Sequence, residues 1–239
     1  MRPFAPLALL VLAAAFPCRA DATEAGTPAR ELRYIVFLRP DPNRVPMSLE
    51  GRQHIMDEHM ANIKKMADDG VLAAAGPMDD TPRTISGIFV LNAPSLEEAR
   101  RIAALDATVA RKRNTADVHP WWGPAGIGAA YFKWKKENPQ AKDEMATHVL
   151  CLVMRGRPAP GSAAPDADHA AYVESLRRAG ALAAAGPVEG DPDLLGVVIF
   201  KTSSLDEARA AMARDPAVLA GRIAIEYHAW WTANRVLPW

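Results

Sequence analysis

The sequence predicts an α+β protein built from one βαββαβ module written twice. Three observations carry that expectation: a repeat at a nearly constant offset, the same order of periodic segments in both copies, and a length of 239 residues, which holds two small modules. Gly70-Val71-Leu72-Ala73-Ala74-Ala75-Gly76-Pro77 returns as Gly180-Ala181-Leu182-Ala183-Ala184-Ala185-Gly186-Pro187 at a shift of 110, which also carries His59 onto His169. A one-residue deletion in the following loop changes the shift to 109. Thereafter Ser95-Leu96-Glu97-Glu98-Ala99-Arg100 lands on Ser204-Leu205-Asp206-Glu207-Ala208-Arg209, Asp106 on Asp215, His119 on His228, and Trp121-Trp122 on Trp230-Trp231. Colinear landmarks of this kind mark a duplicated unit. The copies cover residues 31–122 and 146–232, joined by residues 123–145, rich in glycine, lysine and glutamate.

Each element must suit both copies. Arg33 to Leu38 and His148 to Val153 are short, largely apolar runs suited to a buried strand. Gly51 to Asp69 and Pro165 to Ala179 have helical spacing and stop at glycine, the usual residue after a helix. The Ala-rich run closed by Gly-Pro reads as a second strand and a turn, because proline breaks a strand ladder and glycine permits the bend. Ile85 to Leu91 and Leu195 to Lys201 make a third strand. Ser95 and Ser204 open a second helix through a Ser-x-x-Glu capping box completed by Glu98 and Glu207. Thr115 to His119 and Ile223 to His228 supply the last strand. The order is that of the split βαβ, or ferredoxin-like, module. Both helices of such a module lie on one sheet face, so the other face needs a cover. The tethered second copy supplies one, which predicts an intramolecular pseudo-dimer with further homodimerisation left open.

Composition bounds the function. With 28 basic and 28 acidic side chains the chain lacks the basic footprint that nucleic-acid binding uses, so no nucleic-acid partner is expected. Arg2, the apolar run Pro6 to Phe16, and Pro17-Cys18-Arg19-Ala20 read as a cleavable export signal over residues 1–20, which predicts a periplasmic or secreted protein. The apolar run is well short of the ~20 residues that span a bilayer, and no membrane partner is expected. Lipoprotein processing at Cys18 is an alternative, disfavoured by Phe16-Pro17 before the cysteine. Losing residues 1–20 leaves 26 basic against 28 acidic groups and a single cysteine, Cys151, in the apolar run Val149 to Val153. That thiol reads as a small buried hydrophobe, and stability must come from the core rather than a disulfide.

His59 and His169 are the first candidates for chemistry. Ile55, Ile63 and Met66 share a helical stripe with His59, and Tyr172, Val173 and Leu176 flank His169 in the same way, so both imidazoles point inward. A buried imidazole needs a hydrogen-bond partner. Asp106 and Asp215, each following the second helix, are the natural partners. A carboxylate beside imidazole sets its tautomer and makes it a general acid/base. The competing readings are a satisfied core histidine and, in Asp215-Pro216, an N-cap with proline at the first helical position. His119 and His228 precede the duplicated tryptophan pairs, which read as packing anchors or as an aromatic wall for a planar ligand. His54-x-x-Asp57-x-His59 occurs in the first copy alone. Neither this spacing nor any other forms a metal-ligand motif, and no phosphate-cradling motif or nucleophile elbow occurs, so no metal or cofactor is expected. Lys133-Trp134-Lys135-Lys136 reads as a solvated basic linker.

The inward histidine, the Gly-x-Leu…Gly-Pro strand, Ser-x-(Glu/Asp)-Glu-Ala and the following Asp-Pro resemble the YCII-related domain family over most of both copies. The resemblance implies a dimeric α+β barrel similar to muconolactone isomerases, with His–Asp active-site pairs at His59 with Asp106 and His169 with Asp215. Some members resemble enzymes of chloroaromatic breakdown that remove halide from hydroxylated rings. The first copy departs from the pattern: Ala107 follows Asp106, and Arg111-Lys112 stand where the second copy keeps Ala220-Gly221. On that ground His169 and Asp215 are the better-kept pair. The expected activity is elimination, isomerisation or dehalogenation of a small planar or hydroxylated molecule. The alternative is a non-catalytic ligand-binding or assembly protein with structural histidines.

Overall fold

The computed structural model describes residues 29–81, 83–157 and 166–239; the export signal read over residues 1–20, with Cys18, lies outside them. The first copy runs β1 (Arg30–Pro40), α1 (Leu49–Asp68), β2 (Leu72–Pro77), β3 (Gly87–Leu91), α2 (Leu96–Ala104), a short α3 (Ala107–Ala110) and β4 (Asn114–Pro124). After α4 (Ala129–Glu137), the second copy repeats the order as β5 (Met145–Arg155), α5 (Asp166–Arg178), β6 (Leu182–Pro187), β7 (Leu194–Phe200), α6 (Leu205–Met212), α7 (Pro216–Leu219) and β8 (Ile223–Ala233). Each copy forms one antiparallel sheet, ordered β2-β3-β1-β4 and β6-β7-β5-β8. The ferredoxin-like topology expected from the segment order is the one observed.

Why the strands are apolar at nearly every position follows from the layers. Side chains alternate across a strand. In β1, Ile35 and Phe37 enter a central core while Tyr34, Val36 and Leu38 face the helices of their own module. In β5, Leu150 and Leu152 enter the same central core, whereas Val149, Cys151 and Val153 meet the second module's helices. The central core therefore draws on both sheets. It holds the fully buried Trp121 and Trp230, so the first tryptophan of each pair is an anchor, while Trp231 is exposed. Cys151 is fully buried, and burial pushes its thiol pKa up, in keeping with a hydrophobe's role.

The modules are stitched as well as packed. Trp121 Nε1 donates to the Gly186 carbonyl at 3.1 Å, and Thr232 Oγ1 donates to the Ala75 carbonyl at 2.7 Å. Isolated bridges join Met78 to Trp230 and Trp121 to Val188. The glycines of the repeated Gly-Pro have a specific reason here. A Cβ on Gly76 would lie 2.0 Å from the Trp231 carbonyl oxygen, and one on Gly186 would lie 1.9 Å from that of Trp122. Each is a point where one module's backbone passes the other's.

Two expectations are refined. The join carries a helix, on which Lys133 and Lys136 are exposed as expected of a solvated segment. Lys133 to Lys136 lie within α4, where Lys135 binds the Ala141 carbonyl and Asp143, and the Arg235 guanidinium sits 4.8 Å from the Trp134 ring centre. The capping boxes are half made. Ser95 and Ser204 accept from the Glu98 and Glu207 amides as expected, but the glutamate side chains turn to Arg101 and Thr202. Local salt-bridge and hydroxyl partners outcompete the reciprocal bond to the cap.

Gly186→Ala is expected to lower stability by about 1–3 kcal/mol through overpacking against a backbone that cannot yield. Urea unfolding measures it; an unchanged midpoint would show that the two backbones do not meet there.

Candidate active site

The two histidine–aspartate pairs meet in space. His59 Nδ1 lies 2.7 Å from Asp106 Oδ2, and His169 Nδ1 lies 2.6 Å from Asp215 Oδ2. Each aspartate is fully buried. Its position follows from local chain chemistry, because the other oxygen caps the short helix that begins there. Asp106 Oδ1 accepts from the Thr108 amide at 3.0 Å, and Asp215 Oδ1 accepts from the Ala217 amide at 2.8 Å. The capping and partner readings of these aspartates are thus both true, one oxygen apiece. An ionised carboxylate only accepts, so each histidine carries its proton on Nδ1 and leaves Nε2 as a base. The histidine side chains are 14% and 20% exposed, and their Nε2 atoms have no hydrogen-bond partner among the described residues.

The pairs differ in what else holds the carboxylate. Asp106 also accepts from Asn62 Nδ2 at 3.1 Å and from Thr108 Oγ1 at 2.6 Å. Asn62 lies three residues beyond His59 on α1, a spacing that puts both on one side of the helix. Burial pushes the Asp106 carboxyl pKa up, but the hydrogen bonds from His59, Thr108 and Asn62 outweigh it and hold the group below its ordinary value. In the second copy the Asn62 position is Tyr172, whose hydroxyl donates to the Ala211 carbonyl, and the Thr108 position is Ala217. Asp215 therefore has fewer hydrogen-bond donors than Asp106.

Each histidine borders a cavity lined by the first helix and sheet of its module together with residues of the other copy, Trp231 and Ala233 at His59 and Arg30 at His169. The one at His59 has a volume of about 670 Å³ and the one at His169 about 280 Å³. Both histidines reach them in the same way, but the second is walled by Trp239. Its amide donates to the Ala183 carbonyl, and the Arg177 guanidinium lies 5.8 Å from its ring centre. The sequence pattern favours His169 and Asp215, whereas the roomier site is at His59 and Asp106.

The other repeated histidines work at the junction of the modules. His228 Nδ1 lies 2.6 Å from Asp80 Oδ2, whose other oxygen accepts from the Ala229 amide. His119 lies between Asp117, 2.7 Å from its Nε2, and Asp191 of the second copy, 3.4 Å from its Nδ1. Asp80 and Asp191 carry no local signal, since each partner lies in the opposite module. His54 is exposed beside Glu58 and takes no part in either cavity. Among the described residues, no group of three or more His, Cys, Asp or Glu side chains is placed to hold a metal ion, and no helix is long and apolar enough to cross a membrane.

Paired ferredoxin-like modules with their sheets face to face define an α+β barrel of the dimeric type, formed here within one chain. Among solved structures the chain is similar to chlorite dismutase from Candidatus Nitrospira defluvii. One variant aligns with a TM-score of 0.53 and 11% identity over 88% of this chain and 93% of that chain. A second, in complex with cyanide, aligns with a TM-score of 0.51 and 11% identity over 83% and 90%. At that identity the likeness is one of fold. Residues 32–121 and 137–229 each match the YCII-related domain, and the chain belongs to that family. No curated protein matches it in sequence.

Because the folded Asp106 pKa lies below its unfolded value, this carboxylate stabilises the fold above the unfolded pKa, and the contribution is lost as pH falls through the folded pKa. Asp106→Asn should therefore cost about 1–3 kcal/mol near pH 7, with the deficit shrinking well below pH ~4. Urea titrations at neutral and acid pH test the sign; an equal deficit at both would contradict it.

Proposed function

We propose that the protein is an exported acid/base catalyst whose His–Asp pairs act on a small planar or hydroxylated molecule held between helix and sheet. The observation that carries this reading is His59 Nε2, unpartnered among the described residues in a histidine that lines the cavity, while Nδ1 is held at 2.7 Å by a buried carboxylate. Such a histidine takes a proton from a bound substrate as imidazole and returns it as imidazolium, with the carboxylate stabilising the charged form. Proton transfer of this kind serves isomerisation. It also serves elimination, in which the base removes a proton beside a leaving group and halide is one such group. His169 and Asp215 supply the same chemistry in a smaller space, with fewer hydrogen-bond donors on Asp215. Export is part of the proposal and rests on the sequence of residues 1–20.

A thermal-shift screen of hydroxylated and halogenated aromatics on the mature chain supplies the ligand, and halide or product release supplies the activity. His59→Ala with His169→Ala should retain the fold and lower turnover by about 10²–10⁴-fold, the usual contribution of general acid/base catalysis. Turnover that survives the double substitution would sink the catalytic reading. Binding that survives with no turnover in the wild type would leave a ligand-binding protein.

A further inference from the structure

The two cavities differ in charge as well as size. Arg44, Arg52, Arg83 and Arg113 all line the His59 cavity. Strand register explains how three of them meet. Leu38 pairs with Gly87 and Pro40 with Asn114, so the end of β1, the start of β3 and the start of β4 lie together. Arg44 follows that end of β1, Arg83 precedes β3 and Arg113 immediately precedes β4. Arg52 stands on the first turns of α1, seven residues before His59 on the same side of the helix. Arg113 is tied to the Val45 carbonyl, whereas Arg44, Arg52 and Arg83 have no carboxylate partner among the described residues. The one carboxylate among the described lining residues, Asp143, is held by Lys135 at 2.9 Å.

Much of the remaining lining is apolar. Met56 and Met60, one helical turn apart, are 48% and 53% exposed and line the same cavity as Ile63 and Phe89. Exposed methionines over a cavity make an adaptable apolar surface. The second copy differs at several of these positions. Its counterpart of Arg113, Arg222, is neutralised by Asp168 at 2.9 Å, and Ala170 stands at the position of Met60. The smaller cavity is lined by two cations, Arg177 on α5, which is paired with Glu174, and Arg30 at the start of β1.

We propose that the His59 cavity takes an amphipathic organic anion, of the aromatic carboxylate class, with its charged group at the Arg44–Arg52–Arg83 rim and its apolar body along Met56, Met60 and Phe89. A volume of about 670 Å³ lies in the usual range of small-molecule sites. Guanidinium forks suit carboxylate geometry, and the apolar walls favour a planar body. The anchor would set one part of the ligand beside His59 Nε2, so the substrate class rests on the acid/base reading only for what happens there.

Calorimetric titration of the mature chain with 2-naphthoate and with neutral 2-naphthamide, near pH 7, tests the class. Naphthoate should bind at least about tenfold more tightly than the amide at low salt, and the preference should shrink at high salt. Arg52→Gln with Arg83→Gln should abolish the preference and leave amide binding unchanged, while the exposed surface substitution Arg209→Gln should alter neither. Equal affinities, no binding of naphthoate, or a preference that outlasts the arginine substitutions would overturn the proposal. His59→Gln separates it from the acid/base reading. An intact anion preference with His59-independent turnover would sink only the catalytic role, and His59-dependent turnover without an anion preference would sink only the substrate class.

Discussion

Every other feature depends on the need to cover the inner face of each sheet. Two helices protect one face of a ferredoxin-like sheet and leave the other apolar, and an exposed apolar face of that size is costly in water. The chain meets the cost by turning a second copy of the same sheet onto the first. Ile35, Phe37, Leu150 and Leu152 then share one core with Trp121 and Trp230. That closure dictates smaller details. It explains why the repeated Gly-Pro has no room for a side chain, why the last strands extend to Pro124 and Ala233, and why His119 and His228 find their carboxylates across the junction. A duplicated gene product supplies at once the partner that an unduplicated module must find as a separate subunit.

The same economy governs the site. One buried aspartate ends the second helix region, caps the short helix after it and orients a histidine from the first helix. Because the capping oxygen fixes the carboxylate, the histidine's tautomer is set by backbone geometry rather than by a flexible neighbour. Duplication then allowed the two copies to diverge around a common pair. The first has Asn62, Thr108, a large cavity and an arginine rim; the second has a smaller cavity walled by Trp239 and an aspartate with fewer donors. Two sites of one ancestry thus offer different volumes and different charged surroundings.

Much of this was legible in the order of residues. The offset between copies identified the modules, their strands and helices, and both pairs of candidate residues, because a periodic pattern and a repeat are properties of the chain itself. Asn62 was within reach of the same reasoning, three residues beyond His59. The arginine rim was not, since Arg44, Arg83 and Arg113 are distant in sequence and join only when strand register sets β1, β3 and β4 side by side. The helix in the join was not read from its sequence, where exposed lysines and a glutamate show no apolar face and the partners of Trp134 and Lys135 come from other segments.

By itself the sequence determined the α+β class, the tandem ferredoxin-like modules and the histidines and aspartates worth attention. Local propensity and periodicity act over a few residues and are written directly in the chain. Tertiary structure alone decided that His59 and Asp106, 47 residues apart, and His169 and Asp215, 46 apart, lie within hydrogen-bond distance. It also decided which cavity is large and which charges surround it. Those are matters of packing between distant segments, where ångström-scale separations fix the energy and no local pattern records them.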